Sequence, residues 1–333
     1  MRQIISTLLF VLLGSVTSFA QWRPDVLGDG YEMRYVDQPD DYSGKVRCTI
    51  VRKLSDCSSG KGVLYVHGFN DYFFQAEMGD RFVDSCYNFY AVDLRKYGRS
   101  IIAGQKMFQV RDMKEYFADI DSALAQMKRD GNREIVLMGH STGGLTTSLY
   151  MNENPDTLIR ALILNSPFLD WNQTKFQEKF LIPMVRGVAR LFPDVSIPQG
   201  GGDHYARSLL ADYDGEWHYD TSWKLAVSPN VDSGWIRAID AAQSVIQDDP
   251  DIRVPILLMH SDRSFKNGDP DSMYLCTDAV LDVEDISKYG RRLGPVVTEV
   301  TVYGGLHDLV LSGKGVREPL YDYIFKWLDR QGL

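Results

Sequence analysis

The stretch REIVLMGHSTGGLTTSLYMNENP, Arg133 to Pro155, constrains the fold more than any other part of the chain. Ile135, Val136 and Leu137 form a short apolar run that reads as a buried parallel strand. From Ser141 onward the pattern is helix-like until Pro155 stops it. Between the two, Gly139-His140-Ser141-Thr142-Gly143 fits G-x-S-x-G, in which a strand turns sharply into a helix with the serine at the apex. Glycine suits such a turn because it tolerates unusual φ/ψ and lets neighbouring backbone approach the serine. A serine in a glycine-rich turn is usually structural. Here the strand before it and the helix after it favour a nucleophile.

A parallel strand needs partners, and the chain supplies them at regular intervals. YEMRYVD and VRCTIVRKL look like two antiparallel strands, and GVLYVHG, YNFYAVD, LIRALILN, RVPILLMHSD and VVTEVTVYGG like further ones. A helix with Tyr116, Ile120, Leu124 and Met127 on one face precedes the serine strand. This alternation predicts one α/β domain. The rhythm lapses between Trp171 and Pro250, where Trp217, Tyr219, Trp223 and Trp235 accompany FQEKFLIPMVRGVARLF and PQGGGDH. The predicted organisation is therefore a core of residues 21–170 and 251–333 with a cap inserted at 171–250. Arg186 and Arg190 within an apolar run suggest a membrane-surface helix, but Pro183 is expected to break it, which favours a cap element.

Residues 1–20 differ in kind: Arg2, an apolar run too short to span a bilayer comfortably, then SFA, as in a signal peptide cleaved after Ala20. A secreted or periplasmic location follows, with no stable membrane span. Losing Arg2 leaves 35 basic against 45 acidic residues, a net charge of −10, which argues against nucleic acid as a partner. Cys48, Cys57, Cys86 and Cys276 are an even number in an exported chain and permit three disulfide connectivities, or buried free thiols. Cys48 and Cys57 are the nearest pair in sequence. Neither Cys nor His shows metal-ligand spacing, so no metal and no cofactor is expected.

YVHGFND, VDLRKYGRS, MGHSTGG, VPILLMHSD, TDAVLDVEDI and GGLHDLVLSG occur in that order between about Gly62 and Leu328. In this the chain resembles the α/β-hydrolase superfamily, in the serine-hydrolase branch of monoacylglycerol lipases, lysophospholipases and serine aminopeptidase-like proteins. The resemblance implies an α/β-hydrolase fold, a mostly parallel central sheet flanked by helices, with an inserted cap. Lys96 departs from the family's usual glycine in DLRGYG and bears on a turn.

Serine needs an imidazole to take its proton and a carboxylate to hold that imidazole's tautomer, and in this fold they follow in the order Ser, acid, His. Of six histidines, His67 and His140 belong to turns already described, His204 and His218 to the expected cap, and His260 precedes the acid candidates. His307 alone follows the last strand. The acid is open among Asp262, Asp269, Asp271, Asp278 and Asp282. The family pattern favours Asp278, and proximity to the strand end favours Asp262. Oxyanion donors are expected at the backbone N–H of Thr142, after the nucleophile, and, by the resemblance, of Phe69. The reading is a secreted serine hydrolase acting on a small-molecule acyl ester, with Phe69, Trp217, Trp223 and Trp235 lining the acyl site. An aminopeptidase-like alternative would use Asp214, Glu216 and Asp220 to bind an amine, and a non-catalytic binding protein is a third reading.

Overall fold

In the computed structural model, which describes residues 21–155, 158–172, 181–200 and 202–333, the apolar runs line up as one nine-stranded sheet. The strands expected at its centre are β4 (Lys61–Val66), β5 (Asn88–Asp93), β6 (Glu134–His140) and β7 (Ile159–Asn165), continued by β10 (Ile256–Ser261) and β11 (Val297–Val302). These six are parallel, in the order β5-β4-β6-β7-β10-β11. Beyond β5 the sheet ends in the antiparallel strands β3 (Gly44–Lys53), β2 (Glu32–Asp41) and the short β1 (Arg23–Pro24). Central strands are buried on both faces, which is why they read as unbroken apolar runs.

Alternation along each strand divides the core into two layers. Leu64, Val66, Ile135 and Leu137 face α2 (Phe117–Arg129) and α3 (Thr142–Glu153). Val63, Tyr65, Val136 and Met138 face α1 (Ala76–Asp84) and α8 (Lys314–Arg330). The predicted helix around Ile120 is α2, with Ile120 and Met127 buried. Tyr116 is buried too but lies in a 3₁₀ turn whose start is closed by an Asp112–Glu115 capping box.

Between β7 and β10 the chain forms α4 (Ile182–Ala189), the two-residue strands β8 (Ser196–Ile197) and β9 (Val231–Asp232), α5 (His204–Leu209) and α6 (Ser233–Gln247). α6 sends Ile239, Ala242 and Ile246 into the core layer that α3 also packs. Pro183 falls in the first turn of α4, where a missing N–H costs nothing, and the stretch 173–180 before it, part of the expected cap, lies outside the described residues. The expected leader, 1–20, lies outside them too.

A disulfide joins Cys57 to Cys86, while Cys48 is a buried free thiol in β3 and Cys276 is also free. Cys57 therefore pairs with the cysteine at the end of α1 instead of its nearest neighbour in sequence. Among the described residues no helix is long and apolar enough to cross a membrane.

Candidate active site

Ser141 stands between β6 and α3 with φ 54° and ψ −120°, a conformation costly for a residue with a Cβ, by about 1–3 kcal/mol. The surrounding backbone enforces it. Ser141 donates its N–H to Asn165 O (3.1 Å), and its own carbonyl accepts from the N–H groups of Leu145 (3.1 Å) and Phe168 (3.0 Å). The flanking glycines are required by space. A Cβ on Gly143 would lie 2.3 Å from the carbonyl oxygens of Val66 and His67, and one on Gly139 would lie 2.6 Å from Gly143 O.

His307 lies in the loop after β11 and joins the serine to a carboxylate. Its Nε2 is 3.0 Å from Ser141 Oγ, and its Nδ1 is 2.9 Å from Asp278 Oδ2. An ionised carboxylate only accepts, so Nδ1 carries the ring proton and Nε2 is free to accept from the serine hydroxyl. All three side chains are buried, Ser141 the most open at 7%. The other oxygen of Asp278 accepts from the N–H groups of Val280 (2.9 Å) and Leu281 (2.8 Å), which holds the carboxylate toward the ring.

The remaining acidic candidates are used elsewhere. Asp262 accepts from Gly304 N–H at 2.8 Å and so braces the turn that leads into His307. Asp269 pairs with Arg263, Asp282 caps helix α7 (Val283–Gly290), and Asp271 opens a 3₁₀ turn.

Of the two residues expected to supply backbone donors, Thr142 follows the serine in the chain and Phe69 follows a glycine packed against it. Gly68 approaches so closely that a Cβ there would be 3.0 Å from Ser141 Cβ, and Phe69 is the next residue along that loop. Thr142 is the first residue of α3, where N–H groups have no intrahelical partner. His67 stiffens the Phe69 loop: Leu94 N–H donates to its Nε2 (3.1 Å), so its Nδ1–H donates to Gly68 O (2.8 Å).

A hydrogen-bonded layer beneath the site escaped sequence reasoning. Asn165 Nδ2 donates to Asp308 Oδ1 (2.7 Å), Asn165 Oδ1 accepts from Leu309 N–H (3.1 Å), and its carbonyl binds both Ser141 and His140. One asparagine thus ties the serine turn to the histidine loop. Burial pushes the His140 imidazole below its usual pKa, so it stays neutral. Asp71, His140 and Asp308 place one N or O atom each within 4.8 Å of one another. Tetrahedral zinc with bonds near 2.0–2.1 Å needs ligand atoms roughly 3.3 Å apart. Lys224 Nζ already faces Asp71 (3.0 Å), and Gln75 and Asn165 donate to Asp308 (3.0 and 2.7 Å), so this cluster suits hydrogen bonding better than a metal.

The amine-binding carboxylates of the aminopeptidase alternative are placed differently. Glu216 pairs with Arg317, which lowers its pKa, and Asp220 accepts from Ser222 N–H and Oγ–H. Asp214 lies with His204 and Arg207 on a surface pocket of about 350 Å³. Of the expected lining, Phe69 packs on Trp235 with ring centroids 4.9 Å apart. Trp217 donates to Leu311 O, and Trp223 stands edge-on against Tyr72.

The sheet order, the strained serine and the position of the histidine loop define an α/β hydrolase. Similar solved structures bear this out. A soluble variant of monoglyceride lipase from Saccharomyces cerevisiae is 16% identical with TM-score 0.63, covering 90% of this chain and 96% of that one. The monoacylglycerol lipase of Paleococcus ferrophilus is 16% identical with TM-score 0.61, covering 86% and 99%. Est1E from Butyrivibrio proteoclasticus is 15% identical with TM-score 0.53, covering 90% and 98%. No curated protein matches the chain. The profile of the serine aminopeptidase S33 family matches residues 59–266, and the chain belongs to that family.

Proposed function

We propose that the chain is an exported serine hydrolase of carboxylic esters, with Ser141 as nucleophile, His307 as general base and acid, Asp278 as its orienting carboxylate, and the N–H groups of Phe69 and Thr142 as oxyanion donors. The observation that carries this reading is the continuous line of hydrogen bonds from Ser141 Oγ through His307 to Asp278, at 3.0 and 2.9 Å. Ser141 gives its proton to His307 Nε2 as Oγ attacks the ester carbonyl carbon. The carbonyl oxygen becomes an oxyanion facing the two N–H groups, each worth on the order of 2.7–4 kcal/mol. His307 then protonates the leaving alkoxide oxygen, leaving an acyl-serine. Water, deprotonated by the same imidazole, attacks that acyl group and releases the acid and the free serine.

An apolar acyl group is favoured by the rings beside the serine. Phe168, whose N–H binds the Ser141 carbonyl, packs on Trp171 (5.3 Å), which neighbours Trp235 (6.1 Å), and Trp235 packs on Phe69. Each methylene buried against such a wall contributes about 0.8 kcal/mol, roughly fourfold. The lipase names of similar structures support the same class. Export is supported by the Cys57–Cys86 disulfide, which suits an oxidising compartment, and by the leader that the sequence predicts at 1–20. N-terminal sequencing of exported protein should begin at Gln21. Intact Met1 on cytoplasmic protein contradicts it.

The family's description keeps peptide or amide cleavage as a second reading. A substrate panel separates the two. Medium-chain monoacyl esters should give a higher kcat/KM than acetyl esters, with little activity on triacylglycerol droplets. Aminoacyl amides cleaved faster than every ester would replace the ester reading with the peptidase one.

A further inference from the structure

The loop carrying Phe69 is attached, residue by residue, to the segment inserted between β7 and β10. Phe69 packs on Trp235 of α6. Asn70 exchanges two hydrogen bonds with the backbone of Leu225: its Nδ2 donates to Leu225 O, and its Oδ1 accepts from Leu225 N–H, both at 2.8 Å. Asp71 Oδ1 pairs with Lys224 Nζ at 3.0 Å, both groups nearly buried. Tyr72 Oη accepts from Asp220 N–H at 2.7 Å. Four consecutive residues, 69–72, are therefore gripped from outside the core.

Asn70 is the pivot of this grip. Its φ of 50° is a left-handed conformation that asparagine tolerates better than most residues, and it immediately follows the residue whose N–H must face the oxyanion. The N–H of Phe69 belongs to the Gly68–Phe69 peptide, one residue before Asn70, so its aim depends on how residues 68–70 are seated, and the amide clamp fixes that seat. From this geometry we infer that Asn70 is a positioning residue: through Leu225 it makes the seated inserted segment a condition for aiming the Phe69 N–H, so the segment controls turnover as well as substrate access. The inference rests on the hydrolase reading above and concerns the part of it that makes the rate depend on the insert.

Asn70→Gly tests this directly, because glycine accepts the positive φ without strain and removes both clamp bonds. Removing an oxyanion donor outright costs about 10²–10³ in kcat, and misaiming one should cost about 10- to 100-fold. We expect kcat and the rate of labelling by a fluorophosphonate probe to fall together by about 10- to 100-fold while KM changes by less than about threefold, because Asn70 acts on the transition state and leaves ground-state binding intact. Affinity for a trifluoromethyl ketone, which forms an oxyanion on the serine, should fall in the same proportion. Asn70→Asp keeps the bond from Leu225 N–H but sets an oxygen against Leu225 O, so it should be impaired as well, and it serves if the glycine variant fails to fold. Either variant, folded by circular dichroism and labelled at the wild-type rate, overturns the role of Asn70 and leaves the hydrolase reading standing. Wild-type protein that takes no probe overturns both.

Discussion

A Cβ placed on Gly143, beside the serine, would stand 2.3 Å from two carbonyl oxygens, whereas one placed on Gly187 in α4 would meet nothing within 4 Å. The contrast holds between the serine turn and α4, although deeper in the insert a Cβ on Gly215 would lie 2.1 Å from Leu209 O. In the core, backbone packed against backbone dictates which residue type is tolerated at the turns that carry chemistry. The inserted segment is tied to the core through side chains, by Asn70 on the Leu225 backbone and by the pairs Lys224–Asp71 and Glu216–Arg317, and Met184, Leu191 and Phe192 are left largely exposed. On the proposed reading, core geometry sets the reaction, while the insert governs what reaches the serine and how the Phe69 loop is aimed.

The sharpest way to break this contrast is to remove the triad. Ser141→Ala and His307→Ala should each lower kcat on the order of 10⁶-fold, and Asp278→Asn about 10⁴-fold, with melting temperature little changed. Asp262→Asn keeps an oxygen that can accept from Gly304 N–H and loses only the charge on that brace, so its activity should stay within about tenfold of wild type, with destabilisation of about 1 kcal/mol or less. If Asp262→Asn is the more damaging of the two aspartate changes while the fold is intact, the assignment of the acid is wrong.

Much of this site was legible in the sequence, for identifiable reasons. Ser141 and His307 could be read because their glycine-rich surroundings leave a local trace and because chain order restricts the choice. Asp278 was legible only through the spacing that follows it, since five carboxylates share one segment and only folding brings one of them to His307. Asn165 was missed, because an asparagine at the end of a strand reads as an ordinary turn residue. Lys224 and Asp71 lie 153 positions apart, so no local pattern announces their pairing. The cysteines show the same limit: spacing alone does not say that Cys57 meets Cys86 across 29 residues.

A smaller effect tests the core side of the comparison away from the chemistry. Closing a loop of that length should be worth about 3–4 kcal/mol, so Cys57→Ser should lower stability by up to that amount and leave kcat/KM unchanged. A loss of turnover in folded protein would place the disulfide in contact with the site. Least in size is the contribution of His140. Burial holds its folded pKa below the unfolded value of about 6.5, so its contribution to stability is present above that pH and lost as pH falls toward the folded pKa. Melting temperature measured from pH 7.5 to pH 5 should fall less steeply in His140→Gln than in wild type. Equal slopes would assign the acid sensitivity to other groups.

Whether the core presents one activated serine is answered by mass mapping of the folded protein after reaction with a fluorophosphonate. A single adduct on Ser141 is expected, formed far more slowly in His307→Ala. An adduct on another residue, or none on folded wild-type protein, would contradict it.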